Sequence, residues 1–133
     1  MTARIVRLGD PREPDEGLRL GSVRRPPRGV PRADIARRDF YDLWLPLLSP
    51  SAELVKQAQA AQQPGSAPGA WAAFARRFRA ELRVADASQM LDLLAALSHH
   101  TNFSLGCYCE HEARCHRSVL RELLVERGAR VAG

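Results

Sequence analysis

The residues with chemistry to offer are gathered in one short stretch. Cys107-Tyr108-Cys109-Glu110-His111-Glu112-Ala113-Arg114-Cys115-His116-Arg117 holds all three cysteines of the chain and two of its four histidines. A thiolate is a nucleophile and a soft-metal ligand, an imidazole carries protons near neutral pH, and a guanidinium clamps carboxylates and phosphates. Three readings stand side by side. In the leading one Cys115 is a reactive thiol, His116 (or His111) moves protons, and Arg117 holds an anionic substrate. In the second, Cys107, Cys109, Cys115 and His116 form a zinc-type site of three thiolates and one imidazole. Its Cys-x-Cys spacing is tight, and the adjacent Cys115 and His116 must splay to reach one ion. In the third, Cys107 and Cys115 are small core residues, as free cysteines often are.

The elements around this stretch decide what it can do. Asn102–Cys109 reads as a strand, which places Cys109 at its carboxyl end. The next helix starts near Cys115 or His116, buries Val119, Leu120, Leu123 and Leu124, and stops at Gly128. A helix N-terminus carries free N–H groups and a positive partial charge, so it holds anions and lowers a thiol pKa. Between strand and helix, Cys109 and Arg114 form a Cys-x4-Arg loop similar to a sulfurtransferase loop. The pattern is short, and Cys109 and Arg114 stand as substrate-binding candidates.

The rest of the chain supplies a scaffold and a second candidate surface. Arg4–Leu8 and Leu18–Val23 alternate weakly and read as strands, with a Pro- and acid-rich loop at 10–16 between them. Residues 24–31 carry Arg24, Arg25 and Arg28 among three prolines, which forbid helix or central strand. Such a loop is stiff and basic, and its arginines are pre-organised for an anion contact. Phe40–Leu48 reads equally as a short helix or as an extended packing segment. A helix is expected from a Ser49 cap and Pro50 to Gln62, then a linker at 62–69. A second places Trp71, Phe74, Phe78 and Leu82 on one face. A third, from Asp86 to Ser98, is expected to bury Met90, Leu93, Leu94 and Leu97, with His99-His100 at its end. Val131 ends the pattern as a short final strand. Strands first, helices next, then strand, loop and helix imply one α/β domain over 1–133, with a small, mainly parallel sheet flanked by helices. Ligands of such sheets bind beyond the carboxyl ends of the strands.

Composition narrows the function classes. The chain has 133 residues, 45% hydrophobic and 26% charged, the profile of one globular domain. No apolar run approaches the ~20 residues of a membrane span, and no apolar core of signal length follows Met1. Three clustered cysteines do not make a disulfide framework, so a reducing cytoplasm is expected. The net charge is +5, and 19 of the 20 basic residues are arginine. Residues 1–40 hold ten arginines and six acids, against ten bases and nine acids in residues 41–133. The basic excess thus lies with the Arg24–Arg28 loop and points to an anionic partner, a small molecule or a nucleic acid.

Several segments, in order and spacing, resemble a known family. They are Asp15-Glu16-Gly17-Leu18-Arg19, Arg24, Pro27-Arg28-Gly29, Trp44-Leu45, Pro50-Ser51 with Glu53-Leu54, Trp71, Phe74, Phe78, Glu81-Leu82, and the Cys107 strand ending in Cys115-His116-Arg117. From about Asp15 to Gly128 the chain is similar to the domain of unknown function 488 family, particularly its YeaO-like branch. It departs at Pro26, where that branch commonly has Trp, and at Cys109, where the wider family commonly has Glu. The Cys-His-Arg ending follows the wider family rather than that branch. The resemblance implies a compact α/β fold and a bacterial cytoplasmic protein, and carries no activity with it.

The expectation is therefore a cavity at the carboxyl end of the 102–109 strand. Cys115, His116 and Arg117 are its catalytic candidates. Arg19, Arg24, Arg28, Cys109 and Arg114 are its substrate-binding candidates. No cofactor is required, and zinc belongs to the alternative reading, a small metal-binding module for nucleic acid or protein without catalysis. A protein–protein adaptor with no chemistry is the third class. The leading reading depends on whether the arginine loop meets the cysteine cluster in space.

Overall fold

The computed structural model describes residues 1–133, and its sheet is assembled out of sequence order. Strand β1 (Ala3–Arg7), β2 (Leu18–Gly21), β3 (Leu43–Trp44) and β4 (Phe103–Cys107) lie in the order β1-β4-β2-β3, all parallel. The last strand in sequence is central. Ala3–Arg7 pairs with Phe103–Cys107 on one side, and Leu18–Gly21 pairs with Phe103–Gly106 on the other. A strand covered on both sides and both faces must be small or apolar throughout, and Phe-Ser-Leu-Gly-Cys is buried at every position. Gly106 has to lack a side chain, because a Cβ there would lie 2.7 Å from the Val6 carbonyl oxygen and from Leu8 Cδ2. Val131 adds a single parallel bridge to Ala3.

Four helices complete the α/β domain: α1 (Ala52–Gln62), α2 (Ala70–Glu81), α3 (Ala85–Leu97) and α4 (His116–Glu126). Phe74 and Phe78 of α2, Leu91 of α3 and Leu120 and Leu124 of α4 are fully enclosed with Leu105 of β4 in one large core. A second, smaller cluster joins Leu8, Val23, Ile35 and Tyr41 to Cys107 and Cys115.

Three local expectations are corrected. Helix α1 is capped by Ser51, whose Oγ accepts from the Leu54 amide at 3.3 Å; Ser49 instead closes a 3-10 turn over Pro46–Leu48. Phe40–Leu48 is neither helix nor one extended segment, but the two-residue β3 followed by that turn. In α3 the buried stripe is Ala87, Leu91, Leu94 and Ala95, with Leu93 52% exposed, so the inward face is rotated from the Met90/Leu93 phase. Two of the four buried positions are alanines, which an apolar count favouring the largest residues overlooks. No helix is long and apolar enough to cross a membrane.

Candidate functional site

A cavity of about 1080 Å³ lies beyond the carboxyl ends of β2 and β4, where open parallel sheets place their ligands. Val23–Arg28 follows β2 and forms one wall. Cys107-Tyr108-Cys109 leaves β4 as the floor, α1 gives the opposite wall from Pro50 to Gln62, and His116 enters from the first turn of α4. The arginine loop and the cysteine segment therefore meet in space. Tyr108 ties them together, since its hydroxyl donates to the Arg25 carbonyl at 2.9 Å. Phe40 packs edge-on against the Tyr108 ring at 6.3 Å.

The charge of this cavity is one-sided. Arg24, Arg25, Arg28 and Lys56 line it, and no carboxylate does. None of the four takes part in an ion pair, whereas Arg4, Arg12, Arg19, Arg37, Arg77, Arg79, Arg121 and Arg127 all do. Arg24 is held in place by backbone carbonyls, with Nε donating to Pro50 at 3.0 Å and Nη2 to Ser49 at 3.2 Å.

At the floor, the Sγ atoms of Cys107, Cys109 and Cys115 lie within 4.8 Å of one another, and all three are free thiols. Cys107 and Cys115 are enclosed, while Cys109 is half-buried. The chain turns directly after β4 and folds Cys109 back over Cys107; the Cys109 amide donates to Cys107 Sγ at 3.4 Å. Cys115 caps α4 with its sulfur, which accepts from the Arg117 amide at 3.5 Å. The side-chain amide of Gln62, at the end of α1, reaches both Cys109 Sγ at 3.8 Å and the Arg114 carbonyl.

Electrostatics separates the thiols. Hydrogen bonds from Cys107 and Cys115 hold Cys109 well below the usual thiol range, against the cost of its burial. The same bonds, read from the other side, push Cys107 up, aided by the Cys115 thiol and by burial. For Cys115 the bond with Cys107 acts downward, but Cys109 and burial outweigh it and lift the thiol to about 11. Burial holds His116 down at about 4, so its ring is neutral at physiological pH. Its Nε2 lies 2.6 Å from the Ser22 carbonyl, which makes Nε2 the protonated nitrogen and leaves Nδ1 facing Cys115 Sγ at 3.8 Å. The ring also stands edge-on against Phe78 at 5.7 Å.

The sequence candidates divide accordingly. Cys109, His116, Arg24 and Arg28 line the cavity, together with Cys107. Cys115 and Arg117 lie behind it, both enclosed. The Arg117 guanidinium donates through Nη2 to the Cys109 carbonyl at 2.7 Å, and its buried Nε has no partner. Arg114 is exposed and lies beside Trp71 and Ala113, outside the main cavity. Arg19 is 1% exposed, uses four of its five N–H groups on Glu16 at 2.7 and 2.9 Å and on the Asp10 and Asp39 carbonyls at 2.8 and 2.7 Å, and does not line the cavity. His116 is not part of the converging metal-ligand group, which consists of the three cysteines without an imidazole. Ser22, Gln62 and Lys56 were not singled out by sequence. Lys56 alone carried a signal, as the single lysine of an arginine-rich chain on the α1 face nearest the loop.

Residues 3–128 match the family described as DUF488-N3a, the active DUF488-N3 subclade. Comparisons with curated proteins and with solved structures gave no significant match. A match that spans the sheet, all four helices and both walls of the cavity is a match to the whole fold, and the chain belongs to the DUF488 family.

Proposed function

We propose that this protein binds an anionic, phosphate-bearing ligand, a nucleotide, nucleic acid or phosphate ester, in the cavity beyond β2 and β4, and that the thiol floor acts on it. The observation that carries this reading is a cavity lined by four unpaired cations and no carboxylate, with Cys109 and His116 at its base. Arg25, Arg28 and Lys56 would take the phosphate oxygens. Arg24, fixed on two carbonyls, would stiffen the wall from which they project. Cys109 replaces Cys115 as the thiol facing the ligand, because Cys115 is enclosed. Arg117 and Cys115 support the floor from behind. The description of the matching family as an active subclade agrees with a site that does chemistry. Free, clustered thiols suit a reducing compartment such as the cytoplasm.

The test is calorimetric titration of the reduced protein with pyrophosphate, a nucleoside triphosphate and a short oligonucleotide at low salt. Binding of at least one is expected, weakening as salt rises. Arg28→Ala should weaken it about tenfold, the worth of one charge-assisted contact at a partly exposed site. No binding by any of the three refutes the reading. A second reading, a metal-stabilised module of the zinc type, is favoured by the convergence of the three thiols. It is compatible with the first.

A further inference from the structure

Each sulfur of the trio is met by its own N–H donor. Cys107 Sγ accepts from the Cys109 amide, Cys115 Sγ from the Arg117 amide, and Cys109 Sγ from the Gln62 side chain. A sulfur with an N–H aimed at it is arranged as an acceptor, the role it also plays as a metal ligand held by its outer-shell partners. Three thiolates within 4.8 Å repel one another unless positive charge lies among them. The enclosed Arg117 guanidinium supplies one positive charge beside the cluster, and its buried Nε has no partner. A divalent ion would supply the other two and bring the group to neutrality.

The geometry also says where that ion would be open. Around a tetrahedral ion with metal–sulfur bonds of about 2.3 Å, sulfurs stand about 3.8 Å apart, so no pair of the trio needs to close by more than about 1 Å. His116 does not close the fourth corner: its free Nδ1 meets Cys115 Sγ at 3.8 Å, but the ring stands outside the group in which all three sulfurs converge. Cys115 covers the inner side, while Cys107 and Cys109 line the cavity. The uncovered side of the trio therefore faces the cationic walls.

We propose that Cys107, Cys109 and Cys115 bind a thiophilic divalent cation of the zinc type through three thiolates and leave its fourth position open to the cavity, for water or an oxygen of the anionic ligand. This rests on the metal reading for the ion and on the anion reading for the fourth ligand. Three protein ligands and an exchangeable fourth distinguish a catalytic ion from a closed structural one, since an open ion polarises what it holds.

The experiment uses Co²⁺ as a spectroscopic substitute in the reduced, metal-stripped protein, with inorganic phosphate as the anion probe. One equivalent of Co²⁺ should give a thiolate-to-cobalt charge-transfer band and the visible bands of a four-coordinate ion. Phosphate should shift the visible bands and leave the charge-transfer band in place, with Arg28→Ala requiring about tenfold more phosphate. Cys109→Ser, at a half-buried position, should weaken Co²⁺ binding more than tenfold. Gln62→Ala, which removes only the donor to that sulfur, should weaken it about tenfold. A full thiolate band with visible bands indifferent to phosphate overturns the open position while leaving the metal reading standing. Folded, reduced protein that takes up neither Co²⁺ nor Zn²⁺ overturns both, while phosphate binding to that metal-free protein would still uphold the anion reading.

Discussion

Glu16→Gln isolates the buried ion pair that took Arg19 out of the cavity. Glu16 and Arg19 are 2% and 1% exposed, and two parallel bonds of 2.7 and 2.9 Å join them. Ser104 of the central strand donates to the same carboxylate at 2.6 Å. Burial alone would raise the Glu16 pKa; the bonds from Arg19 and Ser104 outweigh it and hold the carboxyl down at about 2, against an ordinary 4.5. A depression of that size corresponds to about 3 kcal/mol of stability. Removing one partner of a buried pair costs about 3–5 kcal/mol, so the two routes agree. Because the folded pKa is depressed, this stability is fully present above about pH 5 and lost as pH falls toward about 2. Urea unfolding across that range is the assay. Near pH 7 the variant should be about 3 kcal/mol less stable, a large part of the 5–15 kcal/mol typical of a domain. The gap should close in acid. A variant within about 1 kcal/mol of the parent near pH 7, or two acid curves that run parallel, would refute the reasoning.

Three further outcomes follow from the packing. Gly106→Ala drives a Cβ to 2.7 Å from the Val6 carbonyl in the centre of the sheet and should cost about 1–3 kcal/mol by urea midpoint. Ser51→Ala removes the α1 cap and should cost about 1 kcal/mol in the same measurement. In reduced, metal-free protein, iodoacetamide should modify half-buried Cys109 first, and the enclosed Cys107 and Cys115 only on the timescale of opening, as peptide mass mapping would read; simultaneous modification of all three would contradict the enclosure.

Much of the scaffold was legible because it depends on local rules. The Phe74/Phe78 stripe, the Pro-stiffened arginine loop and the strand before the cysteine helix follow from periodicity and from proline chemistry. The site was legible in composition but not in assignment. Nothing local distinguishes Cys115 from Cys109. The first is enclosed in a cluster to which three distant segments bring Leu8, Val23 and Tyr41. Arg19 looked like its neighbours Arg24 and Arg28, yet Glu16 lies three residues before it and turns it inward. An acid at that spacing in front of a strand was the available clue. Gln62 gave no clue, since its partners are 47 and 52 residues away.

The position of β4 in the middle of the sheet governs how this molecule comes into being. β1 bonds only to β4 within the sheet, and β2 meets only β4 and the two-residue β3. As the chain is synthesised, roughly a hundred residues emerge before the strand that joins the first two exists. Pairings across such sequence separations are slow to form, because the intervening chain must be ordered before any contact compensates. The wall of the cavity is made early and its floor late. Insertion of Phe103–Cys107 closes the sheet and carries the cysteine segment under the arginine loop in the same step, so a folding intermediate lacking β4 has no site at all. Assembly of the cavity floor thereby becomes a clock for the last stage of folding.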